Sequence, residues 1–283
     1  MEIYFPATYV DQTELEAFDK APKGKYTVGL GQLKMAIIND REDINSISLS
    51  CVKNLLQKYQ ICPKQVGRLE VGTETLIDKS KSVKTTLMEL FKGAGNFDIE
   101  GVTTVNACYG GTNALFNTIN WVQSHAYDGR WGLVVCSDVA VYSKGAARPT
   151  GGVGAIAMLI GPNAPLMIDD VRSTYIDNHY DFYKPNPFSE YPTVDGHLSI
   201  GVYLGALANC YETFKRKYRE RNPAMTRDLN YHDFDYFCMH TPFSKMVQKS
   251  YYHLVLEDII KSSPDCAAKR YPAQLLTELS KLP

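Results

Sequence analysis

The strongest constraint on the fold is the alternation of short β-branched runs with amphipathic helical segments. Three apolar runs predict strands that are covered on both faces: 68–72, 101–105 and 133–136. Apolar residues recur at helical spacing in three further segments, which begin behind Asp43, at Val83 and after Cys108. Because strand and helix alternate along the chain, the pattern predicts an α/β fold.

The pattern changes after Arg148. A strand at 155–160, a turn rich in glycine and proline, and a strand at 166–168 predict a hairpin that closes a first unit. Residues 173–200 combine prolines and aromatics with little periodicity, which indicates a long irregular loop.

A second unit is predicted from the elements that follow this loop. They are a helix at about 201–219, a strand at 234–239 and a helix through Met246 and Ile259. We therefore expect one domain at 1–172 and another at 173–283, and the second holds too few elements for a sheet matching the first.

Composition excludes several classes of protein. With 30 Lys and Arg against 31 Asp and Glu, the chain lacks the basic surface typical of nucleic-acid binding. No apolar run is long enough to span a membrane, and residues 1–6 do not resemble a signal or transit peptide, so we expect a cytoplasmic protein.

The seven cysteines include no Cys-x-x-Cys pair, which predicts free thiols and argues against disulfides or a structural zinc site.

Cys108 differs from the other cysteines in its position between a predicted strand and a predicted helix. The unpaired N–H groups and positive dipole end of a helix N-terminus favour a thiolate. Gly110 and Gly111 allow backbone or substrate to approach closely. Cys108 is therefore a candidate nucleophile, with a buried structural cysteine as the alternative.

Glu74 and His240 each follow a predicted strand, where α/β proteins bind their ligands. Glu74 is a candidate general base, or alternatively an exposed loop acid or a helix-capping acid. His240 is a candidate catalytic group, or alternatively a hydrogen-bonded structural histidine. The glycine-rich segment 150–154 matches neither a phosphate loop nor a dinucleotide motif, which leaves a tight turn or a backbone contact to an acyl chain.

The segment Asn-Ala-Cys-Tyr-Gly-Gly-Thr at 106–112 resembles the eukaryotic 3-hydroxy-3-methylglutaryl-CoA (HMG-CoA) synthases of the thiolase-like superfamily. Further segments resemble that family in the same order: 4–6, 24–32, 40–46, 70–75, 78–85, 147–152, 180–185 and 240–242. The resemblance covers nearly the whole chain. It implies a thiolase-like fold with αβαβα layers, whose second half is incomplete in this chain.

The resemblance also implies a reaction, the condensation of acetyl-CoA with acetoacetyl-CoA. In this family pattern Cys108 is the nucleophile that carries the acetyl group, Glu74 is the general base, and His240 acts on the acetoacetyl carbonyl. The CoA thioesters are substrates, and neither a metal nor another cofactor is expected. A homodimer is the implied assembly.

Other positions match family residues that contact or support the substrates. Lys25, Lys245 and Lys249 match CoA contacts, and Thr150 and Ser199 match contacts to the acyl or pantetheine part. Asp138 and Asp181 match supporting acids near the site, and Tyr109 matches a pocket wall.

Two departures from the family pattern favour an alternative function. Ala146 stands where the family commonly has an asparagine, and family members continue well beyond the position of Pro283. The alternative is a catalytically impaired, synthase-like protein that binds CoA or a protein partner. A weaker alternative, a cysteine hydrolase, requires a histidine paired with Cys108.

Overall fold

The computed structural model describes residues 1–262, and Cys266, one of the predicted free thiols, lies outside them. The chain divides into two compact units. Unit 1 comprises Met1–Ala21 and Leu33–Met167. Unit 2 comprises Pro22–Gln32 and the chain from Ile168 onward.

The elements of unit 1 alternate in the predicted manner. They are β1 (Glu2–Tyr4), β2 (Tyr9–Asp11), α1 (Gln12–Asp19), β3 (Lys34–Ala36), α2 (Ile44–Lys58), β4 (Val66–Gly72), α3 (Val83–Leu87), α4 (Glu89–Lys92), β5 (Thr103–Thr104), α5 (Gly110–Val122), β6 (Trp131–Ala140) and β7 (Gly152–Ile160). The three predicted helices are confirmed, although the second is divided into α3 and α4 at Met88.

Within the described residues, the main sheet of unit 1 has the strand order β1-β7-β6-β4-β5. β4 runs parallel to β5 and to β6, whereas β7 is antiparallel to β6 and to β1. Parallel strands end at a common sheet edge, so the residues that follow β4 and β5 and the end of β6 lie close together.

Helices cover both faces of this sheet, as the β-branched runs predict. Leu69, Val71, Leu133 and Val135 share one buried cluster with the apolar side of α2. The intervening positions lie towards α5: a Cβ on Gly132 would lie 2.3 Å from Thr118 Cγ2. Alternate residues of each strand therefore pack against different helices.

The local sequence explains where α2 begins. Asp43 accepts a hydrogen bond from the Ser46 N–H at 2.7 Å, and the Ser46 hydroxyl accepts one from the Asp43 N–H at 2.8 Å. This reciprocal pair is a capping box. Ile44, Ile47 and Cys51 then repeat at helical spacing and are buried.

Unit 2 is built mainly from helices. Its strands and α-helices among residues 1–262 are β8 (Phe182–Tyr183), β9 (Thr193–Val194), α6 (Gly196–Arg221) and α7 (Ser244–Ser262). Asp258 is buried and accepts hydrogen bonds from the Tyr211 hydroxyl (2.6 Å), Lys215 Nζ (2.8 Å) and the Tyr231 N–H (2.8 Å). This network joins α6, α7 and the chain between them.

Two predicted strands are wrong. Residues 166–168 form no strand, and Leu166 and Met167 are largely exposed. Residues 234–239 also form no strand, and Tyr236 is 89% exposed. Both segments have strand-like composition, but neither pairs with another strand within residues 1–262.

Candidate active site

The candidate site in unit 1 lies at the edge where the parallel strands end. Gly72, the last residue of β4, pairs with Thr104 of β5 and Cys136 of β6. Glu74 follows β4, Cys108 follows β5 and Asp138 lies two residues before the end of β6. The register of the sheet therefore brings these three sequence-predicted residues to one edge.

Asp138 holds the backbone that carries Glu74. Its Oδ1 accepts hydrogen bonds from the Glu74 N–H at 2.8 Å, Thr73 Oγ1 at 2.9 Å and Thr75 Oγ1 at 3.2 Å. Burial raises the pKa of the Asp138 carboxyl, whereas these donors oppose the rise. The predicted supporting acid thus orients the turn that carries Glu74.

Cys108 lies in a single 3-10 turn, Ala107–Tyr109, directly before α5. Ala107 has φ +33°, a strained backbone conformation for a non-glycine residue. Cys108 is exposed, whereas burial raises the pKa of Cys51 and of Cys136 to about 11. The thiol of Cys108 is therefore accessible beside a helix N-terminus, and the buried alternative does not apply to it.

Glycines allow α5 to approach the strand ends. A Cβ on Gly72 would lie 2.3 Å from the Gly111 nitrogen, and a Cβ on Gly111 would lie 2.8 Å from Cys136 Sγ. A side chain at either position would displace the helix from the sheet. Gly72 and Gly111 thus fix the distance between the cysteine turn and the edge that carries Glu74.

Tyr142 lies close to these candidate residues, although the sequence patterns did not single it out. Burial raises its pKa to about 12, with smaller contributions from the negative charges of Cys108, Glu74 and Asp138. Its phenol therefore stays protonated and able to donate a hydrogen bond near these three groups. It follows β6 by two residues, so the strand-end criterion applied to Glu74 could have found it.

Tyr109 and Thr150 complete the predicted residues of unit 1. Tyr109 adjoins Cys108 and is 39% exposed. Thr150 lies in a 3-10 turn, Arg148–Thr150, and its hydroxyl donates to the Ala147 carbonyl at 2.7 Å. The hydroxyl thus has a local partner within the turn.

In unit 2 the structure brings Lys25 and Lys245 onto adjoining segments. The Lys245 N–H donates to the Leu30 carbonyl at 3.1 Å, and the Ser244 N–H donates to Gln32 Oε1 at 3.3 Å. The segment 22–32 is thereby held at the first turn of α7. Lys249 lies one turn further along α7, on the same side as Lys245.

His240 precedes α7 and contacts α6 through Tyr203. The Tyr203 hydroxyl donates to the His240 carbonyl at 2.7 Å, and the two rings stack with centroids 6.1 Å apart. Partial loss of hydration lowers the pKa of the His240 imidazole, although the residue keeps an exposed surface. A neutral imidazole at neutral pH can accept or donate a proton.

Ser199 and Asp181 lie around the start of α6. Asp195 caps the helix by accepting from the His197 and Leu198 N–H groups, and Ser199 lies in the first turn. The Asp195 N–H donates to the Asp181 carbonyl at 2.8 Å. Backbone hydrogen bonds to Asp195 therefore link Asp181 with the first turn of α6, which holds Ser199.

Neither a metal cluster nor a membrane-spanning helix is found in the described part of the chain. Residues 1–262 hold no group of three His, Cys, Asp or Glu side chains suited to a metal ion. No helix in this range is long and apolar enough to cross a bilayer.

Family models match both parts of the chain. Residues 1–165 match the N-terminal domain of hydroxymethylglutaryl-coenzyme A synthase, and residues 166–280 match its C-terminal domain. The human mitochondrial HMG-CoA synthase is 54% identical over 96% of this chain and 54% of its own length. The mouse cytoplasmic enzyme is also 54% identical, over 92% of this chain and 51% of its own length. The chain thus spans about half the length of the curated relatives it matches.

Solved structures agree with this similarity. MvaS in complex with 3-hydroxy-3-methylglutaryl coenzyme A superposes with a TM-score of 0.89 at 32% identity, over 99% of this chain and 67% of that one. An HMG-CoA synthase complexed with CoA gives a TM-score of 0.79 at 22% identity, over 95% and 65%. The second likeness concerns the fold, and together the two confirm the thiolase-like α/β class.

Proposed function

This chain belongs to the HMG-CoA synthase family, and on that premise we propose that it condenses acetyl-CoA with acetoacetyl-CoA and water to give HMG-CoA and CoA. The observation that carries the proposal is the grouping of Cys108, Glu74, Asp138 and Tyr142 at one sheet edge. Acyl transfer requires a nucleophile, and carbon–carbon bond formation requires a base close to it.

The first half-reaction is acetyl transfer to Cys108. The thiolate attacks the carbonyl of acetyl-CoA, the bond to the CoA sulfur breaks, and CoA leaves as an acetyl-cysteine thioester forms. The N-terminus of α5 favours the thiolate. Tyr142 stays protonated and is a hydrogen-bond donor near the cysteine.

The second half-reaction forms the carbon–carbon bond. Glu74 removes a proton from the acetyl methyl group, and the resulting carbanion attacks the ketone of acetoacetyl-CoA. His240 polarises that ketone, whose oxygen takes up a proton as the carbon–carbon bond forms. Water then cleaves the thioester to release HMG-CoA and free Cys108. Asp138 supports this step because it holds the Glu74 backbone.

Lysines supply the proposed contacts to the phosphates of CoA. Lys25 and Lys245 lie on adjoining segments of unit 2, and Lys249 follows on α7. Thr150 and Ser199 are proposed to contact the acyl or pantetheine part, Tyr109 to wall the pocket, and Asp181 to support the site.

A homodimer is the proposed assembly. β5 lies at the end of the main sheet, and Phe97, Val102 and Val105 around it are more than half exposed. A short edge strand flanked by apolar side chains is suited to a second copy of the chain. Light scattering of the purified protein would give twice the chain mass of 31.7 kDa; a single chain mass would contradict the dimer.

The expectation of a cytoplasmic location stays a prediction. Mitochondrial and cytoplasmic synthases are equally similar to this chain, so similarity does not distinguish the two compartments.

The test of the proposed function is acetylation of Cys108. Purified wild type and Cys108→Ser would be incubated with radiolabelled acetyl-CoA and analysed by peptide mass spectrometry, with Cys62→Ser as the matched control at an exposed cysteine. We expect a labile acetyl thioester at Cys108 that is absent from Cys108→Ser and present in Cys62→Ser. Acetoacetyl-CoA is then added, and HMG-CoA should appear as the label leaves the protein.

The impaired, CoA-binding alternative is supported by Ala146, which lies in an exposed loop and stands where the family resemblance implies an asparagine. A folded chain that binds CoA but acquires no acetyl group would favour this alternative and contradict the synthase proposal. Turnover of simple esters without acetoacetyl-CoA would instead indicate the hydrolase.

A further inference from the structure

The turn that carries Thr150 is continuous with the candidate site of unit 1. Arg148–Thr150 leads directly into β7, whose Gly152 pairs with Ala140 and whose Gly154 pairs with Asp138. A shift of this turn would therefore move Thr150 relative to the sheet edge that holds Asp138.

Gln12, at the start of α1, contacts the middle of this turn. Its Nε2 donates to the Pro149 carbonyl at 2.8 Å, and both residues are buried. Its Oε1 is buried with no hydrogen-bond partner among the described residues. An unpaired buried acceptor is unfavourable, so stability alone would favour an apolar side chain here. The bond to Pro149 gives this amide a positional role.

Asp19, at the other end of α1, holds the start of the same turn. Its carboxylate forms an ion pair with Arg148 at 2.6 Å, and its side chain is only 5% exposed. Gln12 and Asp19 are seven residues apart, about two helical turns, and so lie on one face of α1. One helix face thus fixes two consecutive residues of the turn.

Close packing limits the freedom of the turn on its other side. A Cβ on Gly151 would lie 2.9 Å from the Ala140 carbonyl oxygen and 3.2 Å from Met35 Sδ. The turn is therefore enclosed by α1, β3 and the end of β6, and cannot move without breaking one of these contacts.

We propose that Gln12 and Asp19 are positioning residues, which hold the Arg148–Thr150 turn so that Thr150 meets the acyl-CoA substrate. The inference rests on the proposed function for the identity of that substrate. Neither residue touches the reacting atoms, so each acts through the turn.

The experiment compares Gln12→Met, Asp19→Asn and the conservative Asp19→Glu with wild type. The matched control is Glu14→Gln, a change on the exposed side of the same helix. Cys108 acetylation is measured as a function of acetyl-CoA concentration, CoA binding by calorimetry, and amide hydrogen exchange at Thr150 and Gly151, whose N–H groups donate within the turn.

We expect Gln12→Met and Asp19→Asn to raise the half-saturating acetyl-CoA concentration about fivefold, the effect of one ordinary hydrogen bond. The maximal acetylation rate should change less than about twofold, since Cys108 and Glu74 are held by other contacts. Exchange should accelerate in the turn but not in α2. Asp19→Glu should restore most of the binding, and Glu14→Gln should match wild type.

Unchanged half-saturation and turn exchange in the folded variants would overturn the inference. So would an equal loss of protection throughout unit 1, which would indicate a general structural role. If wild type itself is not acetylated, the proposed function fails separately. The inference is then decided by CoA binding and turn exchange: weaker CoA binding together with faster turn exchange in Gln12→Met, but not in Glu14→Gln, would still support it.

Discussion

At the scale of single residues, Asp138 shows how a buried charge serves a neighbouring group. One carboxylate oxygen accepts hydrogen bonds from two hydroxyls and from the Glu74 N–H. These bonds stabilise the ionised carboxylate, whereas burial opposes its ionisation. The position of Glu74 therefore depends on a group whose charge varies with pH.

The carboxyl group of Asp138 should make the free energy of unfolding depend on pH. The native pKa of Asp138 is raised above its ordinary value of 3.8, so the native state binds this proton more tightly than the unfolded chain. The free energy of unfolding should fall as the pH rises from 3.8 through the native pKa. Asp138→Asn removes this dependence, so wild type should lose stability relative to the variant over that window.

Urea unfolding at a series of pH values would measure the difference between the two proteins. Asp40→Asn, at an exposed aspartate, is the matched control. Its unfolding free energy should differ from that of wild type by the same amount at every pH. A constant difference between wild type and Asp138→Asn at every pH would refute the assignment.

Tyr142 and Gln12 are two residues that the sequence patterns did not identify. Cys108, Glu74 and His240 could be selected because chemically reactive side chains follow predicted strands. Tyr142 meets the same criterion, since it follows the end of β6 by two residues. Gln12 carries no sequence signal, because its contact with Pro149 joins residues 137 positions apart.

At the scale of elements, the contact between β4 and α5 is set by glycine. Gly72→Ala would put a methyl group 2.3 Å from the Gly111 nitrogen, and neither backbone can move without breaking the sheet or the helix. We expect a loss of about 3 kcal/mol in unfolding free energy, at the upper end of the usual cost of overpacking. Acetylation of Cys108 should fall with it, because the cysteine turn moves with α5.

Gly93→Ala is the control for this substitution. A Cβ on Gly93 meets nothing within 4 Å, and its φ of −62° suits alanine. Its unfolding free energy should stay within about 1 kcal/mol of wild type. Equal unfolding free energies of Gly72→Ala and Gly93→Ala would show that the close approach of β4 and α5 does not require a glycine at position 72.

The elements that the sequence predicted correctly carry their determinants locally. α2 has its capping residues and its apolar stripe within 44–58, and β4 and β6 are buried between helices. The failures, 166–168 and 234–239, depend on a partner strand, which composition does not reveal. α6 begins at Gly196 rather than near 201 because Asp195 caps it.

At the scale of the whole molecule, buried apolar side chains are distributed unevenly between the units. Most described core residues belong to unit 1, whereas unit 2 contributes Tyr26, Tyr211, Met246, Leu254 and Leu256. Met167, at the end of unit 1, and Ile176, Phe188 and Tyr236 of unit 2 are largely exposed. Less burial gives less free energy to offset chain entropy.

We therefore expect unit 2 to open first. In hydrogen-exchange mass spectrometry at moderate urea, peptides from α6 and α7 should exchange before peptides from β4, β6 and α2. The exposed residues 143–146 are the internal control for rapid exchange within unit 1. Simultaneous exchange of all these helices and strands would indicate a single cooperative unit instead.

The path of residues 22–32 has a consequence for genetic dissection. The chain leaves unit 1 after Ala21 and returns at Leu33, so a gene fragment cut before Ile168 carries a piece of unit 2 with it. The complementary fragment would lack the Gln32 side chain and the Leu30 carbonyl, which accept from the Ser244 and Lys245 N–H groups. Each half-gene would therefore encode a polypeptide that is incomplete without the other, and complementation would require both in the same cell.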